Sequence, residues 1–441
     1  MKGKIIVCVC GVLTFFLVMG FLPWPATGAE TANGGESIRI PWPPLATDLP
    51  LWDDERLPVA AQKGDIANLK ALLDKGRDSN DMDRMGRLAL VEAAARGQVG
   101  AVEPVLRRGA HIEARDVNGL TALMAAAENG ELSAVELLVS KGANVNFQCD
   151  DGPTALKEAV DNQRTDVVKF LLDHGANVNA KLRGGTTTLM RAALTGNVEV
   201  VKLLLEKGAD LHTQTPNGAT ALTLAALKDR AEVVKLLRSR GAQLDLHTAA
   251  LIGDETEAKR LFDTGADVNA ADAQGWTSLM NAAQKGHAGV VSLLLKRGAN
   301  PVVKREDGGT VLTDAVSSGS ADVLRVLLDG APALAINLAK KGGASPLAFA
   351  VICDRPAMVS MLLDAGMDVN AKGVNGERAV ILAIWECNLE MVKLLLSRGA
   401  DVQAKDLGKY APKPGADCPN WVQIRDLIKA QEAGRGTRKS E

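Results

Sequence analysis

The residues of this chain that could carry out chemistry are few and scattered. The 441 residues include six cysteines and five histidines. The sequence contains no zinc-protease helix motif, no Cys-x-x-Cys pair, no phosphate-binding glycine loop and no strained nucleophile turn. Paired glycines at 184–185 and 308–309, and adjacent acids such as Glu306 and Asp307, are typical of solvated turns. We therefore predict no catalytic residues, no metal site and no cofactor.

The composition narrows the class of protein further. Hydrophobic residues make up 46% of the chain but aromatic residues only 3%, so Ala, Leu, Val and Met must fill the core. Small side chains of this kind favour thin layers of short helices over one thick globular core. The formal net charge of −2 disfavours a nucleic acid or an anionic membrane surface as a partner.

The N-terminus has the pattern of a targeting segment. Lys2 and Lys4 precede an apolar run, 5–22, which Pro23 ends. Small residues at 26–29 then predict a secretory signal peptide, 1–29, cleaved after Ala29 or Gly28. The alternative is a retained anchor, because about eighteen apolar residues just suffice to span a bilayer. A Pro-rich linker follows at 30–52; its two tryptophans either belong to an extended spacer or cover the open end of the following domain.

A recurring glycine reveals an internal repeat. From Gly76 to Gly241 the glycine of phrases such as KGANVN returns every 33 residues, and the series continues less regularly to Gly399. A fixed period of this length predicts a solenoid whose units bury their apolar faces only by stacking.

Each repeat has the same internal order, shown by residues 115–147. Asp116 belongs to a tight turn, Thr121 caps a first helix, Gly130 separates it from a second amphipathic helix, and Gly142 ends that helix. The capping position recurs at Thr154, Thr187, Thr220, Thr277, Thr310 and Ser345.

This order resembles the ankyrin repeat family. The second half of the family pattern is closely matched by NVEVVKLLLEKGADL at 197–211 and HAGVVSLLLKRGANP at 287–301. The first half departs, since the T-P-L-H proline survives only at Pro346 and its histidine only at His247. The resemblance implies an all-α solenoid of about eleven helix–turn–helix repeats over residues 53–430.

The repeat spacing also predicts the domain organisation. Repeats one to six occupy 53–245, repeats seven to eleven occupy 246–404, a degenerate capping half-repeat follows at 405–430, and we expect a disordered tail at 431–441. Repeat seven lacks its turn, which predicts a notch in the surface near Leu246.

The resemblance implies a protein partner that binds a concave face formed by the turn tips and first helices. We call this surface the inner face. Its candidate residues are Trp276, Gln284, Lys285, Leu120, Glu128, Asn129, Trp385 and Glu386. Trp276 is the leading anchor because the neighbouring tips carry Ala219 and Gly309, which should not crowd it. The alternative is that each tryptophan lies flat on the neighbouring repeat.

The same repeat frame suggests a disulfide bond. Cys387 replaces the inter-helix glycine of the last repeat, and Cys418 lies at the nearly equivalent point of the cap, so adjacent repeats would place them side by side. An exported protein meets an oxidising environment, and we predict a Cys387–Cys418 bridge. Two alternatives remain, a bridge from Cys353 to Cys387 or unpaired thiols.

These features together predict a non-catalytic, monomeric protein-interaction scaffold in the bacterial envelope, most simply the periplasm. The alternatives are an inner-membrane-anchored form, or a secreted effector or toxin-associated module. The least favoured alternative is an envelope enzyme with a site at the repeat-seven notch. The sequence does not identify the partner.

Overall fold

The computed structural model describes residues 57–83, 85–148, 152–331, 345–372, 377–403, 405, 407–410 and 418–437. The predicted signal segment, the linker at 30–52 and Cys149 lie outside the described residues. None of the helices in these ranges has both the length and the apolar character needed to cross a bilayer.

The described helices follow one another as pairs of a first and a second helix, which confirms the predicted all-helical repeat architecture. The pairs are α1 (Leu57–Lys63) and α2 (Ile66–Asp74), α3 (Ala89–Ala95) and α4 (Val99–Arg107), α5 (Ala122–Asn129) and α6 (Leu132–Ser140), α7 (Ala155–Asp161) and α8 (Thr165–Asp173), α9 (Thr188–Thr195) and α10 (Val198–Glu206), α11 (Ala221–Leu227) and α12 (Ala231–Ser239), α13 (Leu246–Ile252) and α14 (Glu255–Asp263), α15 (Ser278–Lys285) and α16 (Ala288–Lys296), α17 (Val311–Ser318) and α18 (Ala321–Gly330), α19 (Pro346–Ile352) and α20 (Pro356–Asp364), and α21 (Ala379–Trp385) and α22 (Leu389–Ser397). Two terminal helices, α23 (Leu407–Tyr410) and α24 (Trp421–Thr437), end the array.

Side-chain caps fix where most of the first helices begin, at the positions that the sequence predicted. The hydroxyl of Thr121 accepts a hydrogen bond from the backbone N–H of Met124, and Thr277 does the same for Met280. The inter-helix glycines, such as Gly130 and Gly196, have φ of 82° and 85° and form left-handed C-caps. A residue with a Cβ is strained in that conformation, which explains the recurring glycine.

An asparagine ladder ties successive repeats together. The Asn146 side-chain amide donates to the Gly175 carbonyl oxygen at 2.9 Å, and its oxygen accepts from the Asn177 backbone N–H at 2.6 Å. These bonds satisfy backbone groups left over at the end of a helix. The same donor contact recurs from Asn80 to Gly109, from Asn179 to Gly208, from Asn269 to Gly298 and from Asn370 to Gly399.

The described residues fall into two compact units. The N-terminal unit contains the described residues from 57 to Pro216 together with Glu232–Arg240. In it the first helices α3, α5 and α7 pack on one another in sequence and bury small residues such as Ala93 and Ala126. Short side chains let helix axes approach closely, so each repeat adds a thin apolar layer.

The C-terminal unit contains Asn217–Ala231 and the described residues from Gly241 onward. Its buried core extends continuously from Leu246 to Ile428. The repeat that lacks its turn lies here: Asp245 caps α13 directly, with its carboxylate accepting from the Thr248 backbone N–H at 2.7 Å.

The chain end differs in part from the sequence expectation. Ile424 and Ile428 of α24 are buried, as a capping segment requires, and the Cys387 and Cys418 sulfurs are joined as a disulfide with Cα atoms 5.6 Å apart. The expected disordered tail from 431 is wrong for 431–437, because α24 continues to Thr437. The Gln431 side-chain amide donates to the Leu396 carbonyl oxygen at 3.0 Å and anchors this extension on the last repeat.

Candidate partner-binding surface

Aspartate side chains shape the turn that carries each tip residue. The Asp116 carboxylate accepts from the backbone N–H groups of Asn118 and Leu120, both at 2.9 Å. Asp272 accepts from Gln274 and Trp276 in the same way. The backbones of the predicted tips Leu120 and Trp276 are therefore held by equivalent turns, and both side chains are half-buried.

Trp276 is crowded by a neighbouring side chain, which corrects the expectation from the sequence. The guanidinium carbon of Arg305 lies 3.8 Å from the centroid of the Trp276 ring and covers one of its faces. The expectation considered only the tip residues of the neighbouring repeats, Ala219 and Gly309. Arg305 enters from the start of that turn, and the absent side chain of Gly309 leaves room for the guanidinium. A cation over an indole face is stabilising, so Trp276 is held within the protein.

Arg305 in turn pairs with a buried acid. Its Nη1 donates to Asp314 Oδ2 at 2.7 Å, and the side chains of the two residues are only 8% and 6% exposed. Burial raises the pKa of the Asp314 carboxyl to about 7, although the charge and the hydrogen bond of Arg305 oppose the shift. Asp307 lies farther out, with Oδ1 at 3.3 Å from Arg305 Nε in an ion pair that forms no hydrogen bond.

Gln284 and Lys285 lie at the end of α15, where the sequence predicted partner contacts. Gln284 is half-buried. The Lys285 ammonium is already engaged, because it donates to the Leu227 carbonyl oxygen at 2.7 Å and to both oxygens of Asp229 at 2.8 and 2.7 Å. The repeat formed by α13 and α14 lacks its turn, and these bonds join the two repeats on either side of it. Lys285 therefore has a stabilising role within the protein.

Glu128 and Asn129 lie at the end of α5 in the N-terminal unit. The Asn129 amide donates back to the Ala125 carbonyl oxygen at 2.9 Å, and Asn129 is exposed. Glu128 is half-buried, and its backbone carbonyl accepts from Arg164 Nε at 3.1 Å. Both side chains remain accessible at the helix end.

Trp385 and Glu386 are exposed at the end of α21. Trp385 is 51% exposed, although a tryptophan buries a large area when it finds a partner. Sequence reasoning missed its neighbour Ile352, which ends α19 as Trp385 ends α21 and is 39% exposed. An isoleucine aligned with Glu128 and Gln284 of other repeats was the signal available in the sequence.

The corresponding helices of the N-terminal unit carry charge instead. Lys157 Nζ lies 2.9 Å from Glu158 and 3.1 Å from Asp161, and Arg191 Nε lies 2.6 Å from the same aspartate. Burial raises the pKa of the Glu158 carboxyl, although Lys157 partly offsets the shift. These groups satisfy one another across neighbouring repeats.

The described residues offer little that resembles a reaction centre. They include no group of three or more His, Cys, Asp or Glu side chains placed to hold a metal ion. A cavity of about 250 Å³ in the N-terminal unit is lined by residues that include Asn146, Gln148, Thr154 and Asn177. Asn146 and Asn177 belong to the cross-repeat hydrogen bonds described above, so this lining serves repeat stacking.

Comparison with known proteins gives a consistent picture. The family model described as ankyrin repeats (3 copies) matches residues 113–182, 180–245, 246–338 and 333–406. The chain is 34% identical over 180 residues to an L-asparaginase of Dirofilaria immitis, covering 41% of this chain and 30% of that protein. It is 36% identical over 194 residues to a mitochondrial disaggregase of Bos taurus, covering 44% of this chain and 28% of that protein. It is 31% identical over 122 residues to an ankyrin repeat-containing protein of Treponema pallidum (strain Nichols), covering 27% of this chain and 40% of that protein. The chain thus spans less than half the length of each of these relatives.

Proposed function

Because the chain belongs to the ankyrin repeat family, we propose that it is a non-catalytic scaffold that binds a protein partner on the inner face of its C-terminal unit. Ankyrin repeats serve protein–protein interaction in general, and the family is usually non-catalytic. The L-asparaginase and disaggregase named above match over a minor part of their own lengths, so their activities are not transferred to this chain.

The exposed apolar pair Ile352 and Trp385 carries this proposal. Each is the last residue of its helix, and the two helices pack on each other. Packed helix axes lie about 8–10 Å apart, so the two side chains offer a pair of anchors at about that spacing. Large aromatic side chains in the centre of an interface commonly carry most of the binding free energy.

The spacing of the pair indicates the kind of segment that would bind. Two apolar side chains three positions apart in an extended polyproline II segment lie on the same side, because this conformation has three residues per turn. They are separated by about 9 Å, which matches the packed helices. Glu386 is exposed beside Trp385 and favours a partner residue with positive charge at the rim. We therefore propose an extended segment of a partner protein that carries two apolar residues and a flanking basic residue.

The proposed location is the bacterial envelope, with the periplasm favoured. The Lys2 and Lys4 start, the apolar run and the small residues at 26–29 support export. Sequencing the N-terminus of the protein from fractionated cells tests this part alone. A start at Ala29 or Glu30 in the periplasmic fraction supports it, an intact Met1 in the membrane fraction indicates an anchor, and an intact Met1 in the cytosol overturns export.

The binding proposal is tested by comparing the wild-type protein with Trp385→Ala and Val422→Ala as baits in an envelope extract. Val422 is 54% exposed on α24 and gives a control of similar exposure that lies off the inner face. We expect Trp385→Ala to lose a captured protein that Val422→Ala retains, with both melting temperatures unchanged. Equal capture by all three proteins, or no captured protein at all, would overturn the proposed anchor.

A further inference from the structure

The turn that leads into α17 departs from the other turns at two linked positions. Arg305 occupies the position held by Asp116 and Asp272 in other repeats, where the aspartate accepts two backbone N–H groups. Asp314 occupies the position of Asn281 on the preceding first helix. The two departures form the buried pair Arg305–Asp314, so each side chain depends on the other for its burial.

The same guanidinium makes three further contacts. It covers the Trp276 ring at 3.8 Å, its Nη1 donates to Met280 Sδ at 3.7 Å, and its Nε lies 3.3 Å from the outer Asp307 carboxylate. Arg305 thus stands between an inner acid that is 6% exposed and an outer acid that is 38% exposed. In this position the guanidinium covers the Trp276 ring.

Few other charges can act on this arrangement. Arg305 and Asp307 are the charged groups that act electrostatically on Asp314. The charged residue of the facing helix α15 is Lys285, which pairs with Asp229, and α19 contains no charged residue. The charged residues of α18, Asp322, Arg325 and Asp329, are exposed.

We propose that Arg305, Asp307 and Asp314 form a proton-operated latch on Trp276, in which protonation of Asp314 releases the guanidinium towards Asp307 and uncovers the indole face. When Asp314 gains a proton, its carboxylate becomes a neutral carboxylic acid and the buried guanidinium loses its inner counter-charge. A buried cation without a counter-charge is costly, whereas Asp307 offers a pairing close to solvent. This latch goes beyond the proposed function, because it concerns Trp276 and does not depend on Trp385 or on any partner.

Acrylamide quenching of tryptophan fluorescence tests the latch in the full-length protein without a partner. The contribution of Trp276 is the difference between the wild-type protein and Trp276→Phe, measured from about pH 5 to about pH 9. We expect this contribution to rise on acidification with a midpoint at about 7, the pKa of Asp314. Asp314→Asn, which is neutral at every pH, should show the high quenching of the acid form throughout.

Asp307→Asn is the second variant, and it keeps the turn intact. The Asp307 Oδ1 atom that accepts from the Gly309 backbone N–H at 2.7 Å has an equivalent in asparagine, but the outer charge is removed. We expect the rise on acidification to shrink in this variant. A flat Trp276 contribution in the wild-type protein, or the same transition in Asp314→Asn, would overturn the latch. If Asp314→Asn does not fold, an undiminished transition in Asp307→Asn overturns it.

Discussion

The first helices of the two units solve the same packing problem with different side chains. In the N-terminal unit, Lys157, Glu158, Asp161 and Arg191 form an ion-pair network whose side chains remain 10–26% exposed. Glu158 and Arg191 occupy one helix position, which in the C-terminal unit holds Leu224, Ala249, Asn281, Asp314, Phe349 and Leu382. The charged member of this second set, Asp314, is buried and paired with Arg305.

This difference separates two uses of charge. Partly exposed pairs keep much of their hydration, so they keep the N-terminal face polar and contribute little free energy individually. A buried pair loses its hydration, so both partners must be present and their protonation becomes linked to folding. In the C-terminal unit, Ile352 and Trp385 remain exposed and accessible to an apolar partner.

The largest predicted effect comes from breaking the buried pair. At about pH 8, Arg305→Ala should lower the free energy of unfolding by about 3–5 kcal/mol, because Asp314 would be left buried without a partner. The matched change Arg191→Ala in the N-terminal network should cost only about 1 kcal/mol, since Asp161 keeps Lys157 and part of its hydration. Urea unfolding of both variants under the same conditions measures the two costs.

Equal costs for Arg305→Ala and Arg191→Ala would contradict the comparison. Such a result would mean that the two acids are equally well hydrated and that the burial of Asp314 has no energetic consequence.

The pH dependence of stability should show which unit contains the titrating acid. The folded-state pKa of Asp314 is raised to about 7, above the unfolded value of about 3.9, so the fold binds the proton more tightly. Its contribution to stability is complete below about pH 4 and is lost as the pH rises through about 7, by an amount on the order of 4 kcal/mol. Asp314→Asn should remove this component, so the stability difference from the wild-type protein should change with pH over that window. Parallel stability profiles for the two proteins would show that Asp314 does not titrate there.

The sequence predicted the features that recur from repeat to repeat, but it did not predict the side-chain contacts that are particular to one repeat. Capping threonines and inter-helix glycines recur at fixed spacing, and backbone requirements alone explain them, so their positions could be read directly. The Arg305–Asp314 pair and the Lys285 contacts with Leu227 and Asp229 depend on side chains brought together by stacking. A tip-by-tip comparison considered Gly309 and overlooked the arginine that turns back over Trp276.

A smaller effect is expected where the backbone of the N-terminal unit requires glycine. Gly196 has φ of 85° at the end of α9, and a β-branched residue is strongly disfavoured there. Gly196→Val should lower the free energy of unfolding by about 1–2 kcal/mol or more. Thr195→Val is the control, because it introduces the same side chain one residue earlier at a helical position and should cost less. A melting curve unchanged by Gly196→Val would contradict the repeat register.

The smallest predicted effect compares the two units at the inter-helix position itself. Gln163, Asp229, Asp354 and Cys387 adopt positive φ without being glycine. Of these, Gln163 lies in the N-terminal unit with its side chain exposed, whereas the three in the C-terminal unit bond to other repeats or to the cap. Gln163→Gly should therefore relieve strain and raise the free energy of unfolding by up to about 1 kcal/mol.

Asp354→Gly is the comparison variant and relieves the same backbone strain. It also loses the hydrogen bond that Asn388 Nδ2 donates to Asp354 Oδ1 at 2.7 Å. Because that bond is worth about 1 kcal/mol, the net effect of Asp354→Gly should be close to zero. Urea unfolding of the two variants measures the difference. Equal stabilisation by both would show that the Asp354–Asn388 contact contributes nothing and that the two units tolerate strain at this position for the same reason.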